Sequence, residues 1–448
     1  MTIRFLPRPR ACASVTIVLG GVLVGACAPV GGASRPAPAR SPIEALRFSI
    51  DSLVNDPMFA SAHIGLLIVN PLTGDTLYSR NAGKLFMPAS NQKVLTSAVA
   101  LHLLGPNYRF RTAIGKRGNL RDGVLEGDLV VIGRGDPTLS DRMRGSATAA
   151  MQSIADSVAA RGVRRITGTI RPGGNAFPDS IYGYGWEYDD LTSSGTPTDE
   201  LLFNEGQVRA VRRTARGDTV VLVGTRNPTL AYLAALDTAF RARGISTGGV
   251  SDSIVSLTGQ IDTLYAFDSP PLREILGPFL KPSQNQIGEI LIKTLGLERT
   301  AVGVADSGAA VITRQLREWG VDSSGVFVYD GSGLSRHDLV SPETMVKVLV
   351  AMQRDTAFQV FYDALPIAGV DGTIRTRMVG TPAAGNLRAK TGTIEFVRSL
   401  SGFVTDADND RLVFSFLSNH FIVPVSQITR VQDAVGVLLA NYRSGRVR

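Results

Sequence analysis

The stretch Pro88-Ala-Ser-Asn-Gln-Lys93, PASNQK, stands immediately before a long apolar segment that predicts a helix. Ser90 and Lys93 are three residues apart, so the two side chains lie on one face of a helix that includes both. A serine hydroxyl is a weak nucleophile and needs an adjacent base, and a lysine can be that base only after losing its proton. The alternative is a capped helix, in which Ser90 accepts a backbone hydrogen bond and Lys93 points to water. The pair alone does not decide between the two interpretations.

Two further short motifs bear on this choice. Lys-Thr-Gly occurs once, at residues 390–392, at the head of a predicted strand. Ser-x-Asn occurs twice, at residues 79–81 and 283–285, and the second copy precedes a predicted helix. The second copy, with Ser283 and Asn285, is the one that we expect in the functional site. The order and co-occurrence of the three motifs favour an acyl-transfer site that works without a histidine.

Each residue of these motifs has a chemical role in such a site. Lys93 is the base for Ser90, with its pKa lowered by burial and by the positive charge of Lys390. Ser283 relays a proton between the two lysines and the leaving amine, and the Asn285 amide holds the backbone of the substrate.

The strand that carries Lys-Thr-Gly is expected to bind the substrate. The backbone N–H groups of Ser90 and Thr393 form an oxyanion hole, in which each donor contributes about 10² to 10³ in rate. Lys390, Thr391 and Thr393 present positive charge and hydroxyl groups to a carboxylate of the substrate, and Gly392 belongs to the same binding strand.

The two ends of the chain have matching character. Residues 63–81 predict a β-hairpin followed by the helix described above, and residues 399–419 and 425–442 predict a second hairpin and a closing helix. These elements predict one antiparallel sheet, assembled from both ends and covered by helices. Between them lies a region rich in strand signals, with one helical stretch at residues 230–244.

The predicted fold class is therefore α+β, with a large strand-rich insertion. We expect a catalytic domain formed by residues 44–110 plus 268–448. Residues 111–267 are expected to form one or two inserted domains.

The N-terminus resembles an export signal. Three arginines precede a 13-residue, mostly apolar stretch at 14–26, which is too short to span a bilayer. It ends in Val-Gly-Ala-Cys, which resembles a bacterial lipoprotein processing box with Cys27 as the lipidated residue; ordinary cleavage at Ala26-Cys27-Ala28 is the alternative. We therefore expect a signal peptide over 1–27, a flexible tether over 28–43, and an exported, periplasmic protein attached to a membrane.

The amino-acid composition limits the classes of partner and cofactor that the protein can bind. Apolar content of 44% with 19% charged residues is typical of a folded protein. The formal net charge is +8, but no basic block and no alternation of basic and aromatic residues indicates nucleic-acid binding. Both cysteines, Cys12 and Cys27, lie in the leader, so the body has no disulfide and no thiolate metal site. No cofactor or metal is indicated.

The three motifs resemble those of the serine penicillin-recognising enzymes, which are themselves a standard example of this motif set. The similarity extends to stretches at 133–139, 185–190, 203–208, 269–276, 330–342 and 388–393, which resemble peptidase S13, the D-alanyl-D-alanine carboxypeptidase/endopeptidase family of penicillin-binding protein 4 type. This resemblance implies a transpeptidase-like catalytic domain interrupted by a large insertion. It also implies peptidoglycan stem peptides as substrates and β-lactam antibiotics as covalent inhibitors.

The sequence also permits alternative functions and alternative roles for two of its segments. A serine β-lactamase uses similar motifs, and a non-catalytic wall-binding relative would keep the fold. Gly-Ile-Ser-Thr-Gly at 244–248 matches a hydrolase nucleophile elbow around Ser246, but a predicted helix precedes it where a strand is required. The segment 330–337, DGSGLSRH, is either a wall of the site or a tight turn.

Overall fold

The computed structural model describes residues 40–192, 195–214, 217–259 and 261–445. The helices are α1 (Pro42–Val54), α2 (Gln92–Leu104), α3 (Asp141–Arg144), α4 (Ala147–Ala159), α5 (Pro228–Ala242), α6 (Leu272–Leu280), α7 (Asn285–Thr300), α8 (Ala305–Glu318), α9 (Pro342–Gln353), α10 (Phe358–Ala364) and α11 (Val425–Ala440). The strands are β1 (His63–Asn70), β2 (Asp75–Arg80), β3 (Arg111–Arg121), β4 (Val124–Ile132), β5 (Arg165–Ile166), β6 (Ile170–Pro172), β7 (Gln207–Thr214), β8 (Gly217–Gly224), β9 (Asp262–Asp268), β10 (Val326–Phe327), β11 (Leu339–Val340), β12 (Arg388–Ile394), β13 (Val397–Thr405) and β14 (Arg411–Asn419).

The main sheet has five strands in the order β12-β13-β14-β1-β2. All four pairings are antiparallel, and β1 from the N-terminal half lies beside β14 from the C-terminal end, with His63 opposite Asn419. The predicted antiparallel sheet assembled from both ends of the chain is therefore confirmed. β12, which carries Lys-Thr-Gly, is an edge strand of this sheet, and its outer side pairs with Ile367 only at its first residue, Arg388.

Helices cover both faces of the main sheet. On one face, Leu417 and Val413 of β14 join a core with α2, α6, α7, α8 and α9. On the other face, Phe416 and Phe414 of the same strand join a second core with α1 and α11. Because successive residues of a strand point to opposite faces, a strand buried on both sides does not alternate between apolar and polar residues. In β14 the residues from Leu412 to Leu417 are accordingly apolar except for Ser415.

Helix α2 lies at the centre of the first core. All residues from Gln92 to Leu101 are buried, so no face of this part of the helix is exposed. Such a helix is enclosed on all sides instead of covering a surface. Its N-terminus, which carries Ser90 and Lys93, is consequently held by packing from several directions.

The region between α2 and α6 forms a second sheet. Its strands have the order β5-β4-β3-β9, with β6 also paired to β4, and its first and last strands, β3 and β9, are antiparallel neighbours. A third group of buried hydrophobic residues, from Ile114 to Ile245, lies within this region. β7 and β8 form a separate two-stranded ribbon.

The expectation of a single helical stretch in this region is wrong. Besides α5 there is a second long helix, α4, and a short one, α3. The buried side chains of α4 include Met151, Ile154, Ala155 and Val158, which recur at helical spacing. This pattern was present in the sequence, but it lies among alanine and serine residues, which reduce the difference in hydropathy between the buried and the exposed face of the helix.

The described residues from Ser41 onward belong to one compact unit. The division into residues 44–110 plus 268–448 and residues 111–267 therefore stays a prediction. Residues 1–27 and nearly all of the tether at 28–43 lie outside the described residues. Within the described part of the chain, no helix combines the length and apolar character needed to cross a bilayer.

Leu400 tests the contribution of the second core. It is fully buried on β13, whereas Leu72, in the turn between β1 and β2, is 77% exposed. We expect Leu400→Ala to lower the free energy of unfolding by about 2–5 kcal/mol, because the shortened side chain leaves a cavity. The matched control Leu72→Ala is expected to change it by less than about 0.5 kcal/mol. Urea denaturation followed by circular dichroism measures both, and equal effects would contradict the proposed packing.

Candidate active site

Ser90 and Lys93 are in direct contact. Ser90 lies in a 3-10 turn, Ala89–Asn91, that leads into α2, and its side chain makes no capping hydrogen bond. Its Oγ lies 2.8 Å from Lys93 Nζ. The Lys93 side chain is fully buried, while Ser90 is only partly buried. The structure therefore has the nucleophile–base geometry and not the capped helix with an exposed lysine.

Two carbonyl oxygens complete the surroundings of the Lys93 amine. Lys93 Nζ donates to Asn285 Oδ1 at 2.6 Å and to the backbone oxygen of Ser332 at 2.7 Å. Both oxygens can only accept hydrogen bonds. A neutral amine has two hydrogens and one lone pair, so when both hydrogens go to these oxygens the lone pair faces Ser90. This is the orientation that a base for the Ser90 proton requires.

Burial lowers the pKa of Lys93 to about 7. The charges of Asp330, Glu289 and Asp338 act in the opposite direction and raise it. Of the two expected causes, burial is therefore confirmed as the one that lowers the pKa of Lys93, and the charge of Lys390 is not among the causes of this shift. At Lys390, burial and the positive charge of Lys93 act together and hold the pKa of Lys390 well below its usual range.

Ser283 and Lys390 form a second pair. Lys390 Nζ donates to Ser283 Oγ at 2.9 Å and to the Thr391 carbonyl at 2.8 Å, and its side chain is fully buried. Ser283 has a left-handed backbone, with φ of +67°, and the N-cap residue of α7 is Gln284. Left-handed backbone costs a non-glycine residue about 1–2 kcal/mol. Ser283 is thus held in a strained conformation beside Lys390 and is not the helix cap.

The edge strand β12 packs closely against the turn that carries Ser90. Asn91 Nδ2 donates to the Lys390 carbonyl at 2.9 Å, and Ser399 Oγ of β13 donates to the Pro88 carbonyl at 2.7 Å. A Cβ at Gly392 would lie 2.1 Å from Ser399 Oγ and 2.5 Å from the Pro88 oxygen. Only glycine permits this approach, so the third residue of Lys-Thr-Gly is required by packing.

The other binding-strand residues form a polar rim. Thr391 Oγ1 donates to Thr373 Oγ1 at 2.7 Å, and Thr393, which is exposed, has its hydroxyl in contact with the Arg398 guanidinium. Thr373 and Arg398 were not found from the sequence. Arg398 lies opposite Thr393 in the β12–β13 pairing, a register that the sequence did not reveal.

The segment 330–337 is both a wall of the site and a tight turn. The Ser332 carbonyl touches Lys93, and the buried Asp330 carboxylate accepts the backbone N–H groups of Ser332 and Ser335 at 3.0 and 2.8 Å. The pattern Asp-Gly-Ser-Gly signalled the turn. The contact with Lys93 carries no local sequence signal, because it is made by a backbone oxygen.

Other motifs lie outside this cluster. Asn81 of the first Ser-x-Asn donates to the backbone oxygen of Ile64, which is a structural role. Gly244 follows the end of α5, so Ser246 is preceded by a helix as predicted. Within the described residues there is no group of three or more His, Cys, Asp or Glu side chains that could hold a metal ion. Cys27 lies outside the described residues.

Solved structures with this fold include penicillin-binding protein 4 (DacB) from Haemophilus influenzae. It superimposes with a TM-score of 0.75 at 23% identity, covering 88% of this chain and 99% of that one. A predatory endopeptidase from Bdellovibrio bacteriovorus, acylated by penicillin G and bound to an immunity protein, superimposes with a TM-score of 0.53 at 18% identity, covering 86% and 95%. These matches establish the transpeptidase/β-lactamase-like α+β fold.

Sequence comparison gives the family. The D-alanyl-D-alanine carboxypeptidase of Actinomadura sp. (strain R39) is 32% identical, over 97% of this chain and 90% of that protein. The D-alanyl-D-alanine carboxypeptidase DacB of Haemophilus influenzae is 25% identical, over 79% and 84%. The profile of the D-Ala-D-Ala carboxypeptidase 3 (S13) family matches residues 46–231 and 215–442. The chain therefore belongs to the D-Ala-D-Ala carboxypeptidase 3 (S13) family of peptidases.

Proposed function

We propose that this protein is a serine DD-peptidase that cleaves peptidoglycan stem peptides after D-Ala through an acyl-enzyme. The observation that carries this proposal is the 2.8 Å contact between Ser90 Oγ and the buried amine of Lys93. Membership of a carboxypeptidase family supports the reaction class. The same nucleophile serves whether the bond to be cut leads to a terminal D-Ala or to a cross-linked peptide.

The positions of the side chains support the following route of acylation. Neutral Lys93 takes the Ser90 proton as Oγ forms a bond to the carbonyl carbon of the penultimate D-Ala. The backbone N–H groups of Ser90 and Thr393 stabilise the resulting oxyanion. The C–N bond then breaks, and the proton held by Lys93 passes to the leaving amine, with the Ser283 hydroxyl as relay. Hydrolysis of the ester by water, with Lys93 again as base, releases the shortened peptide and restores Ser90.

Lys390 is proposed to bind the substrate carboxylate. Burial and the neighbouring Lys93 disfavour its charged form in the free protein. An arriving carboxylate supplies the opposite charge and restores the ammonium form. The hydroxyls of Thr391 and Thr393 complete this subsite. A β-lactam presents a reactive amide and a carboxylate with similar spacing, so it should acylate Ser90 as the peptide does.

We also propose that the protein is exported and lipidated at Cys27. The support is the sequence: three arginines, a short apolar stretch and the Val-Gly-Ala-Cys box. One diacylated residue would add burial of its methylene groups at about 0.8 kcal/mol each. Such an anchor would keep the body near a membrane and allow it to reach the cell wall through the tether.

Ser90→Ala is expected to abolish covalent labelling by a fluorescent penicillin, because it removes the hydroxyl that contacts the Lys93 amine. The purified variant should also release no D-Ala or cross-link products from defined muropeptides analysed by chromatography. Products from the wild type distinguish carboxypeptidase from endopeptidase action.

Ser246→Ala is the matched control for this experiment. Ser246 is exposed and belongs to the rival Gly-x-Ser-x-Gly motif, so the variant should label and cleave as the wild type does. Labelling that survives in Ser90→Ala, or disappears in Ser246→Ala, would remove Ser90 from its role.

The acylation rate should depend on pH through Lys93. Lys93 is a base only when neutral, so the rate constant for acylation by a β-lactam should rise with pH and level off above the Lys93 pKa of about 7. Below that pH it should fall about tenfold per pH unit, as for loss of one essential proton acceptor. Stopped-flow measurement between about pH 5 and pH 9 tests this. A rate that is flat across the range would contradict Lys93 as the base.

Cys27→Ala is expected to abolish incorporation of radiolabelled palmitate in cells and to move the protein from the membrane fraction to the soluble one. Cys12→Ala is the control, since Cys12 precedes the apolar stretch and should leave both properties unchanged. If the Cys27→Ala protein is still labelled with palmitate, lipidation at Cys27 is wrong.

A further inference from the structure

A buried carboxylate organises the loop that touches the base. The side chain of Asp330 is fully buried. Its Oδ1 accepts the backbone N–H groups of Ser332 at 3.0 Å and Gly333 at 2.5 Å, and its Oδ2 accepts that of Ser335 at 2.8 Å. These bonds fix the peptide planes on either side of Ser332, whose carbonyl oxygen is the hydrogen-bond acceptor for Lys93.

The loop has almost no freedom to move. A Cβ at Gly333 would lie 1.9 Å from the Ala89 oxygen, and one at Gly331 would lie 2.0 Å from the Gly288 oxygen of α7. Thr96 Oγ1 of α2 also donates to the Gly331 carbonyl at 2.8 Å. The loop is therefore enclosed between the Ser90 turn and α7, and a small rotation of the Ser332 peptide would change its contact with Lys93.

The Ser332 hydroxyl also donates to Asp330 Oδ2, at 3.3 Å, and a further donor comes from the region between α2 and α6. The half-buried Trp186 donates its indole N–H to Asp330 Oδ2 at 2.9 Å. The chain around Trp186 lies on the same loop: a Cβ at Gly185 would be 2.2 Å from His337, and Arg336 pairs with Glu187 at 2.6 Å. A residue far from the three motifs thus belongs to the network behind the base.

We propose that Asp330 is a positioning residue for Lys93, acting through the Ser332 carbonyl, and that Trp186 of the inserted region holds Asp330 in place. The proposal rests on the function proposed above. The Ser332 oxygen takes one hydrogen of the neutral amine and so directs the lone pair towards Ser90. When the Ser332 peptide rotates, that hydrogen loses its acceptor and the lone pair turns away from the hydroxyl.

The charge of Asp330 adds a second, measurable effect. It raises the pKa of Lys93, opposing desolvation. The groups that face Lys93 from the elements packed against it are Ser90 on its own turn, Asn285 and Glu289 on α7, Ser332, Asp330 and Asp338 on the loop, and Lys390 on β12. Burial raises the pKa of Glu289 to about 8, and burial together with Asp330 holds that of Asp338 well above its usual range. Asp330 is the carboxylate that accepts several hydrogen bonds from the loop and from Trp186.

The test compares the rates and pH profiles of acylation by a β-lactam in full-length variants. Asp330→Asn keeps the size of the side chain but removes its charge and one acceptor. We expect the acylation rate constant at pH 8 to fall by about 10- to 100-fold, as for misplacement of a catalytic group. The acid limb of the pH profile, where the rate constant falls as Lys93 becomes protonated, should shift to lower pH. The reason is that the negative charge that favoured protonated Lys93 is gone. Glu289→Gln, measured in parallel, removes the other titration in this range.

Trp186→Phe keeps the proposal testable if Asp330→Asn does not fold. It removes the indole donor and should slow acylation several-fold. Trp319→Phe is the matched control, because Trp319 is the only other tryptophan and follows α8. It should acylate within about twofold of the wild type. Circular dichroism and melting temperature report whether each variant is folded.

Some outcomes would overturn the positioning role. One is a Trp186→Phe rate constant and acid limb equal to those of Trp319→Phe. Another is an Asp330→Asn protein of which a smaller fraction is acylated, seen as a reduced burst amplitude, while the rate constant and the acid limb are unchanged. That result would indicate a purely structural role. A wild type that is not acylated at Ser90 would overturn the proposed function itself and the inference with it, whereas normal wild-type acylation with unaffected variants overturns the inference alone.

Discussion

The site depends on burying the Lys93 amine without placing a carboxylate in hydrogen-bond contact with it. Its hydrogen-bond partners are a hydroxyl and two carbonyl oxygens, those of Asn285 and Ser332. Carbonyl oxygens satisfy the hydrogens of a neutral amine but compensate a charge only weakly, so desolvation dominates and the pKa falls to about 7. A carboxylate in either position would form an ion pair and keep the lysine protonated. The acidic side chains are instead placed one step further back, where they hold the loop.

This arrangement requires parts of the chain that are far apart in sequence. Lys93 begins the central helix α2, Asn285 begins α7, and Lys390 lies on the edge strand β12. Each element is fixed by burial: α2 is enclosed on all sides, and the main sheet is covered on both faces. Because the elements are rigid, the side chains do not have to be ordered when a substrate binds. The backbone strain at Ser283 and the desolvation of both lysines raise the free energy of the folded state. Burial of apolar side chains in the large cores around them offsets this effect.

Much of the fold and part of the site could be predicted from the sequence. Hairpin patterns at both ends gave the main sheet, and the spacing of Ser90 and Lys93 gave their contact, because both depend on local periodicity. Arg398 and Asp330 could not be placed, since their roles depend on strand register and on backbone oxygens that any residue supplies. Of the two causes expected for the low Lys93 pKa, burial is confirmed, whereas the repulsion between the two lysines acts on Lys390. Charge can be inferred from a motif, but the degree of burial depends on the packing of the whole core.

The region between α2 and α6 contributes to the construction of the site. Its strands β3 and β9 are antiparallel neighbours in a sheet separate from the one that carries Lys390. Yet Trp186 donates to the buried Asp330, and the loop held by Asp330 supplies an oxygen to Lys93. Removing the indole leaves a buried carboxylate short of one donor, and the cost of that loss falls on the loop beside the base. The geometry thus ties the orientation of Lys93, the proposed base, to a region that carries none of the three motifs.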